Sequence, residues 1–289
     1  MRVCILGLHG MIGTGLASAL FASGHQVVGT SRAAEAKPDL RPRLTDYHCL
    51  KLGQKADPTW FRNCDAVFYL AHDFSPKAAE SNLSGTRDWY HSAVGAGVPR
   101  HLFFTSYSAK PGSRSTYGAV KFALETFFRS RNQWVLRPGL VAGDRGLFSL
   151  MLRLVRRLPI LPVLDGGKDP VALISLGSVC LATERILCEE SPGEWNLHHP
   201  QVVSMLEILQ TMRRVMQTRC LFVPFPSFIP LSLLRLTRFL GIRLPLSADS
   251  IAAMRENRHI RRPSHLPRLG IEDPPLEEQI RRLAAKASQ

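Results

Sequence analysis

The feature that most constrains this chain stands at its start, where the apolar run Met1-Arg2-Val3-Cys4-Ile5-Leu6 passes directly into Gly7-Leu8-His9-Gly10-Met11-Ile12-Gly13. Three glycines recur at G-x-x-G-x-x-G spacing. Behind them Leu16, Ala17, Ala19 and Leu20 follow a helical period. Strand, glycine turn and helix therefore succeed one another. Such a turn lets the backbone approach a pyrophosphate closely, and the helix behind it offers unpaired N–H groups and a partial positive charge. Turns are also glycine-rich for local conformational reasons. The pattern gains its weight from heading a chain of alternating strands and helices.

Strand-like runs at residues 2–6, 26–30, 66–70, 101–105 and 134–137 are interspersed with helical patterns at 11–22, 79–96 and 117–131. Short apolar strands joined by amphipathic helices predict an α/β fold, a Rossmann-type doubly wound parallel sheet with right-handed crossovers. After Gly143 the pattern loosens. Helical stretches are expected at 148–158, 178–188 and 205–216, with a strand at 170–174 and frequent prolines beyond. The expected organisation is a dinucleotide-binding core over 1–145 and a smaller, mostly helical C-terminal lobe over 146–289 that completes the same fold unit.

The first apolar run is too short for the core of a secretory leader. Cys4, Cys49, Cys64, Cys180, Cys188 and Cys220 form no C-x-x-C pair, and several lie in apolar runs. Buried free thiols in a reducing, cytoplasmic setting are expected. The net charge is +14, from 37 Lys and Arg against 23 Asp and Glu. No nucleic-acid reader module accompanies it, which argues against nucleic-acid binding and leaves a phosphorylated substrate, an anionic membrane face or an acidic protein partner. The excess is uneven: between Glu207 and Asp249 there is no acidic residue, while Arg213, Arg214, Arg219, Arg235, Arg238 and Arg243 fall there. The uncharged stretch 220–234 spans only 15 residues and contains Pro224, Pro226 and Pro230. It cannot be an ordinary spanning helix, and reads as an apolar lobe surface ahead of peripheral membrane contact.

The second strand ends in Val27-Val28-Gly29-Thr30-Ser31-Arg32. An acid at that position would bind the ribose 2′-hydroxyl of NAD. Here two hydroxyls and a guanidinium stand instead, and Arg32 can pair with a 2′-phosphate, so NADP is favoured over NAD. Further on, Tyr117-Gly118-Ala119-Val120-Lys121 puts Tyr117 and Lys121 one turn apart on one helix face. A nearby ammonium is expected to lower the tyrosine pKa. Tyr117 could then exchange a proton with a carbonyl or alcohol oxygen while a nicotinamide carries the hydride.

With these residues in place, the chain resembles the short-chain dehydrogenase/reductase superfamily, in its extended and atypical branches (the NAD-dependent epimerase/dehydratase group). The resemblance rests on Gly7/Gly10/Gly13, the run Asp65-Ala66-Val67-Phe68-Tyr69-Leu70-Ala71, Asn82 with Gly85-Thr86, Phe103-Phe104-Thr105-Ser106, Tyr117/Lys121, and Leu136-Arg137-Pro138-Gly139-Leu140-Val141-Ala142-Gly143. It covers most of residues 1–200. It implies that Gly7, Gly10, Met11, Ile12 and Gly13 cradle the cofactor phosphates, and that Thr30, Ser31 and Arg32 meet the adenosine end. Leu70, Ala71 and His72 would line the cofactor's path, His72 through its backbone, and Pro138 would lie near the nicotinamide. Tyr117 would be the acid/base, with Lys121 on the nicotinamide ribose. The family's Ser or Thr beside the reacting oxygen falls, by strict count, on Tyr107. Either neighbouring serine could fill that place, and Ser106 is preferred over Ser108. His9, within the turn, and His198-His199 read as structural histidines.

The resemblance implies an NADP-preferring oxidoreductase or epimerase acting on a small molecule, either a sugar nucleotide or a hydrophobic carbonyl, in a possible homodimer. For a sugar nucleotide, arginines in 145–157 could hold the diphosphate. The rival is a non-catalytic NADP(H)-binding subunit or sensor that docks on a membrane or protein complex.

Overall fold

The computed structural model describes residues 1–75, 77–226 and 262–286. In chain order the elements are β1 (Arg2–Leu6), α1 (Met11–Ala22), β2 (Gln26–Ser31), β3 (Asp46–Cys49), β4 (Ala66–Tyr69), α2 (Ala79–Gly95), β5 (Arg100–Phe104), α3 (Thr116–Arg129), β6 (Trp134–Pro138) and β7 (Leu140–Ala142). There follow α4 (Gly146–Arg157), β8 (Ile160–Leu164), β9 (Pro170–Val171), β10 (Leu173–Ser175), α5 (Leu176–Leu187), β11 (Glu194–Leu197), β12 (Val203–Ser204), α6 (Met205–Val215), β13 (Leu221–Phe225) and α7 (Leu276–Lys286).

Seven strands form one parallel sheet in the order β11-β6-β5-β4-β1-β2-β3. Successive side chains of a strand face opposite sides, and β1 is apolar on both. Val3 and Ile5 pack with Leu16, Ala17 and Leu20 of α1 and Val179 and Ile186 of α5. Cys4 and Leu6 pack with Trp89 and Ala93 of α2 and Leu124 and Phe128 of α3. Coverage on both faces is why the central strands read as continuous apolar runs.

The chain beyond 145 is shared between two packing units. Strand β11 extends the main sheet beside β6, and α5 packs on α1. Residues 262–271 return to the same unit, placing Leu266, Leu269 and Ile271 in its core. The rest forms a smaller lobe, in which Phe148, Leu152 and Val155 of α4 meet Ile208 and Met212 of α6 and Ile280 of α7. That region also carries the two-stranded pairs β7–β10, β9–β12 and β8–β13. The strand expected at 170–174 is two short strands, β9 and β10, which pair with different partners. Within the apolar stretch 220–234, β13 is a strand beside β8. Its remainder from 227, and Arg235, Arg238 and Arg243, lie outside the described residues. Among the described residues no helix is long and apolar enough to cross a membrane. All six cysteines are free, and Cys4, Cys64, Cys180 and Cys220 are buried.

Candidate active site

The strand order reverses between β1 and β4, and in an open α/β sheet the crevice outside the carboxyl ends at that point is where ligands bind. An open cleft of about 1040 Å³ lies there. All the expected residues line it: Gly7, Gly10, Met11, Ile12 and Gly13; Thr30, Ser31 and Arg32; Leu70, Ala71 and His72; and Ser106, Tyr117, Lys121 and Pro138.

The three glycines are there for different reasons. Gly7 has φ +103°, and a Cβ would lie 2.7 Å from the Ala71 nitrogen. At Gly13 a Cβ would lie 2.5 Å from the Gly7 carbonyl oxygen and 2.9 Å from that of Leu8. Gly7 is fixed by its backbone angle and by the chain that follows β4, and Gly13 by packing within the turn itself. Gly10 is different: its φ of −65° and ψ of 161° suit any residue, and a Cβ would meet only the Gly7 oxygen, at 3.3 Å. Gly10 caps α1 with no side chain, and the first turn of α1 carries no acid. The leading N–H groups and the positive end of the helix dipole therefore receive no acceptor from the cap residue or the first turn.

At the end of β2 a hydrogen-bond chain holds the following loop. The Lys37 N–H donates to His9 Nε2 at 3.3 Å, so Nδ1 carries the ring proton and donates to Ser31 Oγ at 3.0 Å. Tyr47 donates to the Ala33 carbonyl at 2.8 Å, leaving Ser31 to donate to the Tyr47 oxygen, also at 2.8 Å. The Ala33 N–H adds a further bond to Ser31 Oγ. Ser31 lines the cleft with its hydroxyl engaged by His9, Ala33 and Tyr47. Burial, then Lys37 and Arg145, hold the His9 imidazole below its usual range and neutral. Thr30 is buried, and its carbonyl accepts the N–H groups of Gly7 and Leu8 at 3.1 and 2.8 Å. Arg32 is exposed at the cleft edge, close enough to Asp73 to hold that carboxylate down, after the Ser75 bonds that do most of it.

Helix α3 begins at a Ser115 cap whose hydroxyl accepts the Gly118 N–H, which presents Tyr117 and Lys121 from its first two turns. Tyr117 hydrogen-bonds Ser106. Lys121 is buried and donates to the Phe104 carbonyl at 2.8 Å, with its ammonium 4.9 Å from the centre of the Phe103 ring. Burial lowers its pKa to about 8. The expected depression of the Tyr117 pKa is absent. Burial raises it, with the Ser106 bond opposing, because the Lys121 ammonium is directed at the Phe104 carbonyl instead. Tyr117 is therefore a neutral phenol in this state, able to donate a proton.

Ser106 is brought to Tyr117. Tyr107 turns away, its ring edge-on to His198 with centroids 5.6 Å apart, its hydroxyl buried without a partner among the described residues. The adjacent Thr105 donates to Glu125 at 2.9 Å. Glu125 pairs with Arg137, both 1% exposed, and Arg137 also donates to Asn196 at 2.7 Å. This buried pair ties β5, α3, β6 and β11 together directly behind Ser106 and Lys121.

The sequence of residues 3–145 matches the NAD dependent epimerase/dehydratase family. The chain belongs to that family. Its curated relatives include the uncharacterized protein Rv2047c of Mycobacterium tuberculosis, 28% identical over 195 residues. That match covers 62% of this chain and 22% of the relative, so the chain spans about a fifth of the length of the curated relatives it matches. Among solved structures, UDP-glucose 4-epimerase from Thermotoga maritima with UDP-glucose superposes with a TM-score of 0.74 at 16% identity, covering 100% of each chain. A nucleoside-diphosphate-sugar epimerase from Pseudomonas aeruginosa gives 0.75 at 18%, covering 99% of this chain and 96% of its own. TunA, an NAD dependent NDP-hexosamine 5,6-dehydratase, gives 0.65 at 20%, covering 88% and 95%. At these identities the superpositions establish the Rossmann-type fold.

The cleft also holds a residue that sequence reasoning passed over. Phe74 lines the cleft, is 77% exposed, and stacks on Tyr117 with centroids 5.5 Å apart. The His72 ring stands edge-on to Tyr117 at 4.9 Å, and burial followed by Lys121 brings its pKa to about 3. His72 therefore meets the cleft with its side chain and not only its backbone. Buried Asn82 fixes the loop carrying Phe74, accepting the Asp73 N–H at 2.9 Å and donating to the Asp73 and Ala78 carbonyls. Asn82 belonged to the quoted family pattern, whereas Phe74 and Tyr47 had no local signal.

Proposed function

We propose that this chain is a nicotinamide-dinucleotide-dependent enzyme acting on a nucleoside-diphosphate sugar, with hydride exchange at a secondary carbinol and proton movement at Tyr117. The observation that carries this reading is the hydrogen bond between Tyr117 and Ser106 beside buried Lys121, in the same cleft as an uncapped helix N-terminus framed by Gly7, Gly10 and Gly13. The cradle fits a dinucleotide: a side chain at Gly7 or Gly13 would strike backbone, and one at Gly10 would meet the Gly7 oxygen at 3.3 Å. When bound, the nicotinamide supplies a reversible hydride acceptor.

The remaining chemistry belongs to the chain. The N–H groups opening α1 bind phosphate oxygens. Ser106 orients the substrate oxygen and Tyr117 exchanges a proton with it. Lys121 holds a ribose hydroxyl and, as a cation, favours the phenolate once Tyr117 has given up its proton. Leu70, Ala71 and Pro138 wall the cofactor's path. Ser106 beside Tyr117 supports the catalytic reading over a non-catalytic binder. Sugar nucleotides are the substrate class suggested by the epimerase and dehydratase neighbours.

For the cofactor we propose NADP(H), supported by Arg32 at the end of β2 where NAD binders need an acid. NAD is the second reading, favoured by the family's name and by neighbours that are NAD dependent or bound to NAD. Titration with NADPH and NADH, in wild type and Arg32→Ala, decides. Preference for NADPH that is lost in the variant supports the first reading. NADH preference unchanged by the variant supports the second. Binding of neither removes the enzyme reading.

A further inference from the structure

The arginines of 145–157 read equally as a diphosphate-binding group or as a solvated helix face, and the structure divides them. Arg153, Arg156 and Arg157 sit on the exposed side of α4. Arg145 instead reaches the glycine turn. The loop that carries it, 143–146, joins β7 to α4 and packs on Met11: a Cβ at Gly143 would lie 2.4 Å from the Met11 sulfur. Gly146 adopts φ +79°, which releases the chain into α4 with Arg145 as its N-cap residue. From there Arg145 Nη1 donates to the His9 carbonyl at 3.1 Å, one peptide before Gly10. Its charge is felt at the His9 ring, together with that of Lys37.

We propose that Arg145 is a phosphate-binding residue, set over the N-terminus of α1 to take the pyrophosphate of the dinucleotide. This rests on the dinucleotide reading above. A guanidinium carries five donors in a planar fork, and the His9 carbonyl occupies one. The Asp144 carboxylate lies 3.7 Å from Nε, and both side chains are well exposed, 39% and 62%, so that pair holds the arginine weakly. The anchor thus fixes the base of the fork beside the unpaired α1 amides and leaves donors for an anion. Helix dipole and guanidinium would act on the same charge. This surface cation comes from the β7–α4 loop, far in sequence from the glycine motif, so the motif alone could not reveal it.

The test compares NADH and ADP-ribose, which share the pyrophosphate and differ in the nicotinamide, on wild type, Arg145→Ala and Arg145→Lys. Arg145→Ala should weaken both ligands equally, by roughly tenfold or more for a lost charge-assisted bond. Arg145→Lys, which keeps the charge and loses the fork, should fall between. Added salt should narrow the gap between wild type and Arg145→Ala, which a purely structural loss would not do. Loss for NADH alone would assign Arg145 to the nicotinamide half and overturn the proposal. So would variants that bind both ligands within about twofold of wild type, a change too small for a charge-assisted bond. Wild type that binds neither of these ligands nor NADPH would overturn the dinucleotide reading itself.

Discussion

Gly10 separates ligand from fold more cleanly than any other position. In the free protein an alanine there meets a single atom, the Gly7 oxygen at 3.3 Å, with backbone angles ordinary for an L-residue. Replacing glycine by alanine at a helix N-cap should cost about 1 kcal/mol or less. For a chain of this size that lowers Tm by about 2–3 °C. The new methyl stands at the mouth of the α1 N-terminus, where a pyrophosphate must come within hydrogen-bond distance of the backbone. Losing one charge-assisted bond there costs about 1.5–3 kcal/mol, or roughly 10- to 100-fold in affinity. Gly13→Ala is the contrast. Its Cβ would sit 2.5 and 2.9 Å from two carbonyl oxygens, so the turn must move at a cost of about 1–3 kcal/mol. Thermal unfolding and nicotinamide-fluorescence titration, run on both variants, give the two readouts. Gly10→Ala should lose no more than about 2–3 °C of Tm while losing cofactor, and Gly13→Ala should lose more of both. Gly10→Ala binding cofactor as well as wild type would refute the cradle.

Two further predictions concern buried charge. Arg137→Ala leaves Glu125 with Thr105 alone, whereas Glu125→Ala leaves Arg137 with Asn196 and half-exposed Glu194. Both should destabilise by about 3–5 kcal/mol, the arginine variant more, as urea unfolding will measure; equal small losses would show the pair to be dispensable. Lys121, near 8 in the fold against 10.5 when free, binds fewer protons folded than unfolded between those pH values. Its contribution to stability therefore rises with pH from about 8 to 10.5. Unfolding across that range should show wild type gaining on Lys121→Met, and a falling difference would contradict the assigned burial.

Most of the sheet was legible because central strands covered on both faces are continuous apolar runs, and the helices between them alternate with turn residues. What escaped was the edge. Strand β3, Asp46-Tyr47-His48-Cys49, has no apolar run, and β11 joins the sheet only after a long excursion through the lobe. At the site, Gly7, Gly10, Gly13, Tyr117 and Lys121 were readable because their chemistry depends on fixed local spacing. Ser106 was preferred over its neighbours from the sequence, but the turn of the β5–α3 loop that brings it to Tyr117 was not readable there. Nor was the neutral Tyr117, because a helix pair in sequence does not reveal that Lys121 is directed at the Phe104 carbonyl. His9, Ser31 and Tyr47 meet only through the pairing of β2 with β3, a long-range fact that no motif carries.

The most direct test of the account is turnover of a panel of nucleoside-diphosphate sugars by wild type and Tyr117→Phe, each with cofactor binding measured on the same preparation. The account predicts that wild type converts at least one member of the panel, and that the variant binds cofactor as wild type does while its turnover collapses by roughly 100-fold or more, the scale of a lost acid/base group. A Tyr117→Phe protein that turns substrate over at the wild-type rate would contradict it.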